Sequence, residues 1–424
     1  VVAGAGRTSP RSQRQGRPLP AHDPPPAVPA GGEPGSAGAQ TAASQDEVPL
    51  RVSTLEIFFD LVFAFTLTQL TAVLASRLSW LAVGQVLLIF GLLWWMYGAY
   101  AWLTNSRPPV RTGERLALLL GMAGFLVVGL AIPRGFSSYG LVLGLGYLVV
   151  VLVHTWMFYQ VNTDILRVAP FNIGSALLVT AAGLLHDSSG ATSVAGYSLW
   201  LLALLVQLGS PVIVRPDRHF EIRAGHYTER HNGLVIIAIG VSVAAIGIGA
   251  AGPASQERSV HWQLLAGALL GLAVAAALWW IVFGSGDEER AARMLTEATS
   301  QRRTALILQA LFYGNIPLLL GLVAIAAGVV RAVAAAAVPT PAAGLGVPAG
   351  QAGLLAAGAA LFLAGDAIVR RLLQLGPVGW RLTAAILALA TTAVGVAAGL
   401  EVQLVVVAAV LVLPLIVDRP RPAA

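Results

Sequence analysis

The stretch R-V-S-T-L-E-I-F-F-D-L-V-F-A-F-T-L-T-Q-L-T-A-V-L, running from Arg51 to Leu74, decides the fold. It is long and apolar enough to cross a bilayer, yet it carries two carboxylates at its mouth. Glu56 and Asp60 are four residues apart, so a helix turns both to one side, while Phe58, Phe59, Leu61, Val62, Phe63 and Phe65 supply the greasy remainder. Thr66, Thr68, Gln69 and Thr71 continue a polar seam inward. Ser53 and Glu56 have the spacing of a capping box, which gives Glu56 a structural role beside any functional one. Asp60 escapes that explanation, because it lies about 10 Å along the helix from the cap. An ionisable group there costs roughly a few kcal/mol unless it faces protein or water, so Asp60 is expected to face a polar interior or a pathway.

The rest of the chain reads as a container for this segment. Its 424 residues are 57% hydrophobic and only 11% charged, with a mean hydropathy of +0.77. That composition excludes an ordinary soluble globule and indicates an all-α polytopic membrane protein. Cysteine is absent, which removes disulfides, thiol nucleophiles and thiolate metal sites together. Lysine is absent too, so all 26 basic side chains are arginine, a bias that suggests a GC-rich bacterial genome. The high isoelectric point does not indicate nucleic acid, because the arginines sit in loops between apolar segments, where they report topology.

Residues 1–48 are rich in Pro, Gly, Ala, Ser and Gln and are expected to form a disordered cytoplasmic tail. Beyond them, hydropathy predicts about twelve spans: 54–76, 80–104, 115–133, 138–160, 170–186, 194–214, 232–252, 261–283, 304–330, 350–369, 379–399 and 401–418. With the N-terminus inside, all but four of the arginines fall on the cytoplasmic side. The exceptions are Arg77, Arg134, Arg258 and Arg331. This parse places both termini in the cytoplasm and the protein in a bacterial inner membrane. Gly144 and Gly146 follow no strand, so a nucleotide fingerprint is rejected. Gly240, Gly247, Gly249 and Gly252 read as sites of close helix packing.

Three matches pair span n with span n+6. P-V-I-V-R-P from Pro211 answers P-L-I-V-D-R-P from Pro414, L-W-W-M-Y-G from Leu93 answers L-W-W-I-V-F-G from Leu278, and the charged entrance at Thr54 answers that at Thr228. The expectation is two parallel six-helix repeats, 49–218 and 219–424, with a pathway between them. The entrance of the seventh span holds His226, Glu229, Arg230 and His231. His226 and Glu229 lack a third ligand at helical spacing, so no metal site is assigned. Arg230 is equivalently placed to meet the carboxylates of the first span in an ion pair across the halves, and a solvated helix start is the alternative. Lesser candidates are His154, Gln207, Gln309, Asn315 and Asp366, the last expected to pair with Arg370 one turn on. Tyr313, Asn315 and Pro317 should weaken the ninth helix locally.

Several of these motifs together resemble the bacterial low temperature requirement A family. They are E-x-F-F-D-L-V-F ending in T-Q-L-T over Glu56 to Thr71, the W-W segment reaching Asn105, H-x-x-E-R at His226 to Arg230, and Y-x-x-x-P-L at Tyr313 to Leu318. The resemblance implies a multi-pass membrane protein and supplies no mechanism, since the family is named for a growth phenotype. Two positions depart from it: Val241 stands where a glutamate is usual and Asn315 where a histidine is usual, which implies an altered or lost ion-coupled step. More distantly, Glu56 to Ala64 resembles the first helix of FSD-motif cation channels, with Phe59 in place of their serine.

The resulting expectation is a transporter or channel, not an enzyme, with a pathway edged by Glu56, Asp60, Gln69, His226, Glu229, Arg230 and Asn315. It needs no cofactor or metal. Its expected partners are the lipid bilayer, an unknown small solute or ion and further copies of itself in a homo-oligomer, with no nucleic acid. An intramembrane enzyme acting on lipid and a non-transporting scaffold or sensor are the alternatives. The enzyme ranks lower because no nucleophile and base recur at defined spacing.

Overall fold

The first helix begins where the capping box predicts. Ser53 is extended, its hydroxyl accepts from the Glu56 amide, and the Glu56 carboxylate accepts from the Ser53 amide at 2.9 Å. A computed structural model describes residues 52–163, 165–214, 223–250, 262–284, 286–336 and 346–417. The tail expected over 1–48 and the loop arginines Arg215, Arg218 and Arg258 lie outside the described residues.

In chain order the helices are α1 (Thr54–Ser76), α2 (Trp80–Ser106), α3 (Thr112–Ala131), α4 (Gly140–Tyr159), α5 (Ile165–Ala182), α6 (Val194–Ile213) and α7 (Ala224–Ala250). They continue as α8 (Trp262–Phe283), α9 (Asp287–Glu297), α10 (Ser300–Leu306), α11 (Asn315–Ala336), α12 (Ala349–Leu372), α13 (Gly379–Ala398) and α14 (Leu400–Val417). No strand occurs among the described residues, only an isolated bridge between His186 and Thr192. Among the described residues, eleven stretches are long and apolar enough to cross a membrane, with α10 and α11 running as one, Ser300–Ala336. The remaining expected span corresponds to α7, whose first two turns are charged and polar.

That opening of α7 corrects the sequence reading, which started the span at 232. The stretch from His226 to His231 is helix, with His226, Arg230 and His231 buried. Helix α5 starts at Ile165, so Pro170 lies inside it instead of opening it. The amphipathic α9 has no counterpart among the expected spans, because its polar composition fails a hydropathy window.

Neighbour relations are orderly. Helices α3, α4, α5 and α6 pack in sequence, α1 lies against α3, and α6 against α2. Likewise α11, α12, α13 and α14 pack in sequence, α7 lies against α11, and α14 against α8. Helix α1 packs on both α7 and α11. The closest approaches use small residues, as helix pairs in lipid require. A Cβ on Gly144 would sit 2.4 Å from the Thr180 Cα, and one on Gly358 would sit 2.7 Å from the Ile325 amide nitrogen. Gly240 and Gly247, expected at such contacts, meet nothing within 4 Å. The irregularity expected near Tyr313 is a π-helical segment over Ile307–Tyr313, just ahead of Asn315.

Candidate functional site

Arg230, on the second turn of α7, is buried against the α1 carboxylates. Its Nε donates to Asp60 Oδ1 at 3.2 Å and its Nη1 to Glu56 Oε1 at 3.5 Å. Nη1 also donates to the Thr104 hydroxyl near the end of α2, so three helices meet on one guanidinium. The Phe59 and Tyr97 rings lie 5.3 and 5.6 Å from its carbon, adding cation–π attraction. Phe59 is the residue that departs from the FSD signature. Nη2 has no hydrogen-bond partner among the described residues.

Glu56 divides its work between its oxygens. Oε2 completes the cap and accepts from the Ser53 hydroxyl at 2.8 Å, while Oε1 meets Arg230. His226 Nε2 lies 3.3 Å from Oε2, and its Nδ1 lies 3.3 Å from the Asn105 amide nitrogen. Those partners assign the ring as Nε2–H, donating to Glu56 and accepting from Asn105. Asn105 also accepts from the Arg223 amide at 3.0 Å and donates to the Arg223 carbonyl at 2.9 Å, which ties the end of α2 to the start of α7.

A cavity of about 440 Å³ opens beside this network, lined in part by Asp60, Arg230, Glu229, Thr228, Asn232 and Thr296. Glu229 is exposed and accepts from the Val52 amide at 3.4 Å. Thr228 and Asn232 also border a second cavity, of about 60 Å³, with Asn315, Asp287, Asp366 and Arg370. Asn315 is therefore separate from the Arg230 cluster. Gln69 is half-buried and nine residues beyond Asp60, about 13 Å further along α1. Asp366 pairs with Arg381 on α13, not with Arg370 one turn away as expected, and Arg370 instead donates to Asp287 on α9. Helix geometry permits the local pair, but the buried arginines reach across helices, where each also helps close a tertiary contact. No group of three or more metal-ligating side chains occurs among the described residues.

Sequence reasoning missed Thr104 and Tyr97 as members of the cluster, and reached Asn105 only through the family motif. Each is one polar group on a long apolar helix, and only Thr104 and Asn105, adjacent at the end of α2, leave a local trace.

Fold and cluster together define a polytopic helical membrane protein whose first and seventh helices are joined by a buried charge network. The chain belongs to the bacterial low temperature requirement A (LtrA) family, whose model matches residues 51–416. It is also 29% identical to an uncharacterized protein of Rhizobium meliloti (strain 1021) over 294 residues, covering 64% of this chain and 67% of that one.

Proposed function

We propose that this protein is a transporter or channel for a small solute or ion, with a pathway running between residues 49–218 and 219–424. The observation that carries this reading is the Arg230 network. A membrane protein retains buried charges at substantial desolvation cost, and such groups characteristically mark solute or ion routes. The pair is also bordered by a cavity, and one α7 face, through Thr228 and Asn232, borders that cavity and the smaller one at Asn315. The matching neighbour relations of α1–α6 and α7–α14 support a duplicated scaffold, in which α1 and α7 hold equivalent places. Arginine placement supports a cytoplasmic location for both termini in the bacterial inner membrane.

In this reading Asp60 and Arg230 form the narrow point, and Glu56 and His226 hold the arginine in register. The buried Nη2 is a donor the network leaves unused among the described residues, so a rearrangement that opens the pair would present it to a solute. Proteoliposome flux tests the proposal. Asp60→Asn keeps the shape and removes the charge, and is expected to reconstitute normally with flux reduced by about tenfold or more, the scale of a lost charged hydrogen bond. Undiminished flux through both Asp60→Asn and Asp60→Leu would contradict it.

A further inference from the structure

One wall of the larger cavity is α9, a helix too polar for a hydropathy window to find. Its sequence, D-E-E-R-A-A-R-M-L-T-E over Asp287–Glu297, puts its few apolar residues on one side. Ala291 and Leu295 are buried and Met294 is half-buried, while Arg290, Arg293 and Glu297 are exposed. The helix packs on α7, α8 and α10. Ala292, Leu295 and Thr296 line the larger cavity together with Asp60 and Arg230, and Asp287 and Ala291 line the smaller one. This short helix therefore borders both cavities that α7 borders through Thr228 and Asn232. In the proposed duplication the corresponding connection of the first half is residues 107–111, which contain no helix. Such a cover belongs to the second half alone.

The two ends of α9 are held differently. At its C-terminal end Arg303 of α10 donates to the carbonyls of Leu295, Thr296 and Ala298, at 2.7, 3.1 and 3.1 Å, satisfying groups that a helix end leaves open. Because α10 runs on into α11, this end is fixed to the bundle. At the N-terminal end the hold is a buried ion pair between Asp287 and Arg370, in the last turn of α12, with Arg290 Nη1 reaching the Leu375 carbonyl at 3.2 Å. Just ahead of the helix Gly286 has a φ of 64°, a left-handed backbone that favours glycine, and just after it Ala298 is extended. Each end thus has a pivot. Two buried apolar side chains dock a helix weakly, so the ion pair is a large part of what keeps α9 against the cavity. We propose that α9 is a gate over this cavity, closed in this structure by the Asp287–Arg370 latch, and that it opens by swinging about the end fixed by Arg303 when that pair parts. The gate rests on the pathway reading for what passes through it, and it supplies that pathway with its control point.

The test uses the full chain, labelled in nanodiscs and assayed for flux in proteoliposomes, with Thr228→Cys as its sole thiol. The Thr228 hydroxyl is buried beside both cavities, so a water-soluble maleimide should react there slowly, at the rate α9 opens. Asp287→Asn keeps the shape and removes the charge. It should raise the labelling rate about tenfold or more, the scale of one charge-assisted hydrogen bond, and raise flux with it. Arg370→Gln should do the same from the other side of the pair. A reducible bifunctional methanethiosulfonate joining Ala292→Cys to Gly225→Cys, which line the same cavity, should stop flux until dithiothreitol cuts the link. Unchanged labelling in a folded Asp287→Asn protein would make α9 a fixed wall and overturn the proposal, whatever the flux. If neither latch variant folds, flux that continues through the cross-linked protein would overturn it. Faster labelling in latch variants of a protein that carries no flux would keep the gate and refute the pathway reading instead.

Discussion

At Glu56 two readings of one residue turn out to be compatible. Its Oε2 caps α1 and its Oε1 meets Arg230, so the local signal of Ser53 and the long-range signal of Asp60 both hold. Glu56, Asp60 and Arg230 were legible because carboxylates and arginines are rare in apolar helices and stand out by spacing. Their companions were not, since a lone Thr104 or Tyr97 gives no hint of which helix it will face. The network makes an energetic prediction. Removing Arg230 strands the buried carboxylates it pairs with, and breaking such a buried pair costs about 3–5 kcal/mol. Arg230→Met should therefore lower thermal stability strongly, and combining it with Asp60→Asn or Glu56→Gln should cost less than the sum of the single changes. A double-mutant cycle on unfolding in detergent measures that coupling, and strictly additive losses would separate the residues.

Among the elements, hydropathy found the long apolar helices and failed where helices begin with charge. The opening of α7 reads as an entrance because a window averages its charged turn with the loop before it, and α9 escapes because it is polar along its whole length. Glycine was also misassigned. A glycine-rich helix suggested close packing at Gly240, whereas close approaches occur between α4 and α5, at Gly144, and between α11 and α12, where Gly321 faces the Phe362 amide and Gly358 faces Ile325. The composition of one helix cannot reveal what its partner presents. Opposite outcomes follow for two substitutions of the same residue type. Gly358→Val should drive α12 off α11 and lower the melting temperature of the purified protein by several degrees, with a loss of at least about 1–3 kcal/mol from overpacking. Gly240→Ala meets open space and should leave stability unchanged or raise it by about 0.5–1 kcal/mol. The π-helical segment has its own use. It leaves the Phe312 carbonyl to accept from Trp94 Nε1 at 3.2 Å, and Gly98 gives that ring room.

Across the whole molecule, α3–α6 and α11–α14 each pack in sequence, and α9 has no counterpart in the first six helices. In the proposed duplication α1 and α7 hold equivalent positions, and the functional claim is that water and solute pass where they meet. The absence of cysteine makes this directly measurable, because any introduced thiol reports alone. Thr228 borders both cavities beside the Arg230 network, and Gln69 lies on α1 on the far side of Asp60. Thr228→Cys and Gln69→Cys, in sealed inverted and right-side-out membrane vesicles, can be exposed to a membrane-impermeant thiol reagent. A pathway requires Thr228→Cys to label from the cytoplasmic face and Gln69→Cys from the opposite face. A folded protein in which Thr228→Cys labels while Gln69→Cys resists reagent from both faces would make the cavity a dead end and contradict the account.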